Sequence, residues 1–247
     1  MAIPRIIHQT ARAYDELPAE IKANIERIKS LNPQWEHRFY EDADVLRYIE
    51  RHSGPRMLRA CRRINPRYGV MLADVFRYLA VYREGGVYLD VKSTVTRPLD
   101  EVLSPDDSYL LSQWRNRLGE RYRGWGLYPD LERIIGGEFQ QWHIIAVPKH
   151  PFLARVIQDV LFNMEHYHPG WFDVGAMGVL RVSGPICYSL AIAPMLSHYK
   201  HRIVDIEELG ISYTIYDSTM HHRRPKAHYT HSREPIMLRA DDKGLQP

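Results

Sequence analysis

Apolar residues fall at Leu72, Val75, Phe76, Leu79 and Tyr82, the three-and-four spacing of one buried helix face, which predicts a helix over 72–83. Gly85 and Gly86 follow, where a left-handed helix end needs a residue without a Cβ. Residues 87–91 then alternate with period two and are rich in β-branched and aromatic side chains. Such a strand sends Val87, Leu89 and Val91 one way, and Tyr88, Asp90 and Lys92 the other. At roughly 3.3 Å per residue, Asp90 and Lys92 would stand about 6 to 7 Å apart on one side.

The rest of the pattern supplies neighbours for this helix–turn–strand unit. A first strand is predicted over 3–9, where Ile3, Ile6 and Ile7 precede the polar triplet His8, Gln9 and Thr10. An amphipathic helix over 17–31 carries Ile21, Ile25 and Ile28 on one face and is broken by Asn32-Pro33. Strands follow over 35–40, 109–113 and 140–147, and helices over 152–165 and 186–196. Pro98 ends the strand that starts at Thr94 and opens a short turn or helix. Residues 115–138, rich in Arg and Gly, show no period and are read as a loop of functional length.

Strands alternating with helices predict an α/β, Rossmann-like domain, in which ligands gather at the carboxyl ends of the strands. His8, Gln9 and Thr10 are then candidate nucleotide contacts, against the alternative of a satisfied histidine at a strand end. Asp74 and Arg77, three apart on the helix, are either an ordinary pair on a solvated face or part of a site.

With 247 residues the chain has room for one sizeable domain, expected over 1–240 with a flexible tail over 241–247. A net charge of +3 is too mild for nucleic acid but suits an anionic ligand such as a nucleoside diphosphate. Cys61 and Cys187 make no disulfide framework, so a reducing compartment is expected. No apolar run is expected to reach the roughly 20 residues of a membrane span, which predicts a cytoplasmic enzyme, at most peripheral at the inner face of a membrane. The arginines 56, 59, 62, 63 and 67 form either a solvated basic face or a contact for an anionic acceptor or membrane surface.

The Asp-x-x-Arg helix, the Gly-Gly turn and the acidic strand end together resemble glycosyltransferase family 32. This is the sugar-binding region with a DXD motif, found in yeast-type initiating mannosyltransferases and bacterial capsular polysaccharide enzymes; clostridial toxin glucosyltransferase domains share the layout. The resemblance implies a GT-A type fold with a mostly parallel central sheet. It also implies retaining transfer of a hexosyl group from a UDP- or GDP-linked sugar to a hydroxyl of a glycan or lipid-linked acceptor. Asp74 and Arg77 would hold the donor sugar, and Asp90 and Tyr88 the nucleotide side. The segment Ser183-Gly184-Pro185 resembles the family's Gly-Pro motif, which makes Ser183 and Gly184 donor contacts. The family's second acid is replaced by Lys92, which either neutralises the departing diphosphate itself or leaves Mn²⁺ or Mg²⁺ to Asp90 and a ligand from elsewhere. His228 is the first choice for that ligand, with His231 and Ser232 next. Ala11 and Arg233 also depart from the family's aromatic positions, and Gln140 and Gln141 stand where it has an Asn. An inactive nucleotide-sugar-binding protein is the alternative function.

Overall fold

The computed structural model describes residues 2–216 and 229–238. His221, His222, His228 and the tail 241–247 lie outside the described residues.

A six-stranded sheet forms the centre. Its strands are β1 (Ile6–Thr10), β2 (Glu36–Tyr40), β3 (Gly86–Leu89), β5 (Tyr109–Leu111), β6 (His143–Ala146) and β7 (Arg202–Ile203), in the order β2-β1-β3-β6-β5-β7. β1 runs parallel to β2 and β3, and β5 parallel to β7, while β6 opposes both its neighbours. The expected mostly parallel α/β sheet is present, with one reversed strand. A separate ribbon pairs β4 (Thr94–Val95) with β8 (Ile211–Ser212).

Helices cover both faces. The helices α2 (Asp42–His52), α3 (Pro55–Arg62), α4 (Val70–Glu84), α6 (Pro151–Glu165), α8 (Gly175–Val182) and α9 (Pro185–Ile192) contribute to one apolar core with Tyr88 and Ile144. The other core joins α1 (Ala19–Leu31) and the short α5 (Leu99–Val102) to Val87, Leu89, Trp114 and Trp142. The short α7 (Pro169–Phe172) connects α6 to α8. The period-two reading of β3 holds, because Val87 and Leu89 enter one core and Tyr88 the other.

Several boundaries differ from expectation. The helix α2 was not predicted, although its start is fixed by a reciprocal capping box between Glu41 and Asp44. Central α4 is buried almost all round, not on one face, and its core-facing set includes Asp74 and Arg77. The strand expected over 87–91 stops at Leu89. Asp90 N donates to Trp142 O (2.8 Å) and Ser93 N to Asp90 O (2.8 Å), so the chain turns away towards β4. Asp90 and Lys92 therefore do not share a strand face.

The Gly-Gly turn is required by space. Gly85 sits at φ 72° and Gly86 at φ 97°, and a Cβ on Gly86 would lie 2.5 Å from Ile6 O. Only a glycine lets α4 reverse directly into β3 beside β1. The segment Gly175–Met195 is long and apolar enough to cross a membrane by composition. It breaks at Ser183 and Gly184 between α8 and α9, and much of it is buried in the core, where it delivers Ser183 to the site below.

Candidate active site

The network grows from α4. Its residues Asp74 and Arg77 are 2% and 4% exposed, which excludes a solvated surface pair. Burying these charges is costly unless every polar atom finds a partner, and here the partners converge. Asp74 Oδ2 accepts from Ser183 Oγ (2.8 Å), Asp74 Oδ1 accepts from Gln141 Nε2 (3.1 Å), and Arg77 Nη2 forms an ion pair with Asp74 Oδ1 at 3.4 Å. Arg77 Nη1 donates to the backbone and side-chain oxygens of Gln141 at 2.8 and 2.7 Å.

The same guanidinium reaches out to the strand end. Its Nη2 lies 3.1 Å from Asp90 Oδ1, which also accepts from Tyr88 Oη (3.1 Å), and the Tyr88 ring lies 4.7 Å from Arg77 Cζ. Two carboxylates, one guanidinium and three neutral partners thus form one connected set. Asp90 is its outer member, with a quarter of its side chain exposed. Burial, more than any other influence, pushes the Asp74 carboxyl up to about 6, while Arg77, Ser183 and Gln141 oppose the rise. Arg77 is raised, because the attraction of Asp90, Tyr88 and Asp74 outweighs its burial. The arrangement sets two carboxyl groups around one guanidinium.

Lys92 belongs to a different group. Its Nζ donates to Tyr213 Oη (2.6 Å) and lies 4.0 Å from the Tyr213 ring centre. Tyr213 in turn packs against Trp114, Trp125 and Trp142. These tryptophans differ in exposure: Trp114 is buried, and its Nε1 donates to buried Glu138 (2.5 Å), whereas Trp125 is 40% exposed.

The polar triplet of β1 points largely inward. His8 is fully buried, with Nε2 3.1 Å from Gly85 O, and burial pushes it down to about 4; it braces the Gly-Gly turn rather than facing a ligand. Gln9 bonds His37 (2.8 Å), and Thr10 Oγ1 donates to Tyr40 O (2.7 Å). Because β1 and β3 are in parallel register at His8 and Tyr88, Thr10 still ends on the same sheet edge as Asp90. Gly184 is not an open anion site: its N–H donates to Val179 O (2.9 Å), and a Cβ there would lie 2.8 Å from Leu180 Cα. It is the point of close packing between α8 and α9.

The described residues do not fit a divalent metal by themselves. Among them no three His, Cys, Asp or Glu side chains gather to hold an ion. Asp90 offers one carboxylate whose Oδ1 is already engaged, and an ammonium stands two positions on. The expected second ligand, His228, lies outside the described residues. His231 and Ser232 are described and supply no such set.

Asp74, Arg77, Tyr88, Asp90 and Ser183, expected from the sequence as site residues, come together here, and Gln141, expected at the family's Asn position in the strand over 140–147, joins them. Sequence reading missed Tyr213, for which no local signal exists: the contact with Lys92 spans 121 positions.

Comparison with known proteins places the chain among glycosyltransferase-like sequences and folds. Residues 18–109 match the family described as glycosyltransferase sugar-binding region containing DXD motif. The chain is 26% identical over 188 residues to mannosyl phosphorylinositol ceramide synthase SUR1 of Saccharomyces cerevisiae, covering 76% of this chain and 41% of that protein. It is 32% identical over 190 residues to inositol phosphoceramide mannosyltransferase 3 of Schizosaccharomyces pombe, covering 76% and 44%. The chain thus spans less than half the length of these relatives. Among solved structures it resembles the PaToxG glycosyltransferase, with a TM-score of 0.56 at 14% identity, over 79% of this chain and 70% of that one. The fold is of the GT-A type, and residues 18–109 carry a glycosyltransferase sugar-binding region of the DXD-motif kind.

Proposed function

We propose that this chain transfers a hexosyl group, mannose first, from a UDP- or GDP-linked sugar to a hydroxyl of a glycan or lipid-linked acceptor, with retention of configuration. Mannose is placed first because the similar yeast proteins are named for mannosyl transfer. The observation that carries the proposal is the buried Asp74–Arg77–Asp90 network, which ends on a carboxylate a quarter exposed at the carboxyl end of β3. Buried ion pairs add little net stability, and buried charges with perturbed proton affinity cluster at functional sites.

In this reading Asp90 meets the donor, and Asp74, Gln141 and Ser183 lock Arg77 so that Asp90 cannot swing away. Asp74 and Arg77 touch the sugar directly only where donor hydroxyls replace Gln141 or Ser183 as partners. The bond from the anomeric carbon to the diphosphate oxygen breaks while the acceptor oxygen attacks from the same face. The acceptor proton passes to the departing phosphate oxygen. Lys92, held by Tyr213 outside the Asp90 network, offsets the diphosphate charge only by leaving that partner for the bound donor.

Hydrolysis and binding of a panel of UDP- and GDP-sugars, each with Mn²⁺ and with EDTA, test the proposal. We expect turnover of one donor, reduced at least about 100-fold in Asp90→Asn with the fold intact. Binding of every active-site variant without turnover by the native chain would replace the transferase with a nucleotide-sugar-binding protein. Turnover abolished by EDTA would assign the diphosphate charge to a metal instead of Lys92.

A further inference from the structure

The basic helix α3 overlies a feature that sugar transfer leaves unused. Between α3, the second half of α4 and α6 runs a cleft of about 500 Å³, the size of a small-molecule site. Its floor is apolar: Met57, Leu79, Ile157 and Leu161. Its rim is cationic, with Arg56, Arg83 and Lys149. Arg56 is held by Glu165, with Nε 3.0 Å from Oε1, but Arg83 and Lys149 make no ion pair among the described residues. Lys149 is held at φ 59°, a left-handed conformation that a lysine adopts only when its surroundings impose it; its N–H donates to Tyr82 O beside the cleft. The cations extend beyond the rim: burial first, then Arg83 and Arg51, lower His52, another lining residue. An apolar trough under unpaired cations is complementary to a molecule with a hydrocarbon chain and an anionic head.

We infer that this cleft receives an acyl chain of an anionic phospholipid, whose head-group phosphate meets Arg83 and Lys149, and so seats the chain on an anionic membrane surface. The cleft lies along the carboxyl-terminal half of α4, past Arg77, so lipid retention does not use the Asp90 network and is independent of sugar transfer.

Co-sedimentation of the full chain with vesicles of phosphatidylcholine, with and without phosphatidylglycerol, tests this. Binding is expected only with phosphatidylglycerol. The double variant Arg83→Glu/Lys149→Glu should bind at least about tenfold more weakly. Leu161→Asn should keep low-salt binding but lose the part that survives high salt, because the chain contact is screened less than the charges. Donor hydrolysis should be unchanged in both variants and the thermal midpoint unchanged in Arg83→Glu/Lys149→Glu, which separates failure of this site from failure of the transferase reading or of folding. Equal binding to both vesicle types, no binding to either, variants that bind like the native chain, or full release by inorganic phosphate would each overturn the inference.

Discussion

At the scale of single residues, Asp74 shows how context converts a common side chain into a functional one. Three residues from Arg77 on a helix it reads as a surface pair, yet it is buried with both carboxylate oxygens engaged by donors. Protonating it removes the acceptor that Ser183 and Gln141 need, and loosens the hold on Arg77. Since its carboxyl is pushed up to about 6, transfer should fall as pH drops below that value, approaching tenfold per unit. A pH–rate profile on the preferred donor checks this. In Asp74→Asn the limb should vanish and the plateau fall by about 100-fold. Lys92 teaches the opposite lesson. Two positions from Asp90, it looks like part of the same cluster, but the turn after Leu89 sends it to Tyr213.

At the scale of elements, the α4–turn–β3 unit holds the site because its reversal is too tight to vary. The turn stacks against Ile6, Pro4 and Pro148, and His8 bonds its carbonyl from beneath. Gly86→Ala places a methyl against Ile6 O at a backbone angle that L-residues rarely adopt. We expect a loss of about 2–3 kcal/mol, read as a fall in thermal midpoint of about 5–10 °C for a chain of this size. Transfer at low temperature should fall as well, because Asp90 hangs from the strand that starts there. An unchanged midpoint would mean that the turn is softer than its contacts imply.

At the scale of the whole molecule, acid stability is set by histidines buried as neutral rings. Burial pushes His8 down to about 4 and His143 to about 3. The unfolded chain therefore binds protons near pH 6.5, where the folded chain does not. Each ring favours the fold fully above pH 6.5, and this is lost progressively as pH falls towards the folded value. The loss is on the order of 2 kcal/mol per ring by pH 5. Thermal midpoints measured from pH 8 to 4.5 should be flat and then drop below about 6.5, and His143→Gln should lessen the slope. What the sequence by itself determined is local: the helix over α4, the glycine reversal, the strand and the presence of Asp74, Arg77 and Asp90 within 17 positions all follow from periodicity and backbone sterics, which act between near neighbours. The alternation of helices and strands was legible for the same reason. The end of β3 at Leu89, the diversion of Lys92, the inward turn of His8 and the role of Gln141 were decided by contacts spanning from tens of positions to 121. Burial and hydrogen-bond completion of that kind arise only when distant segments close on one another, and no local pattern encodes them.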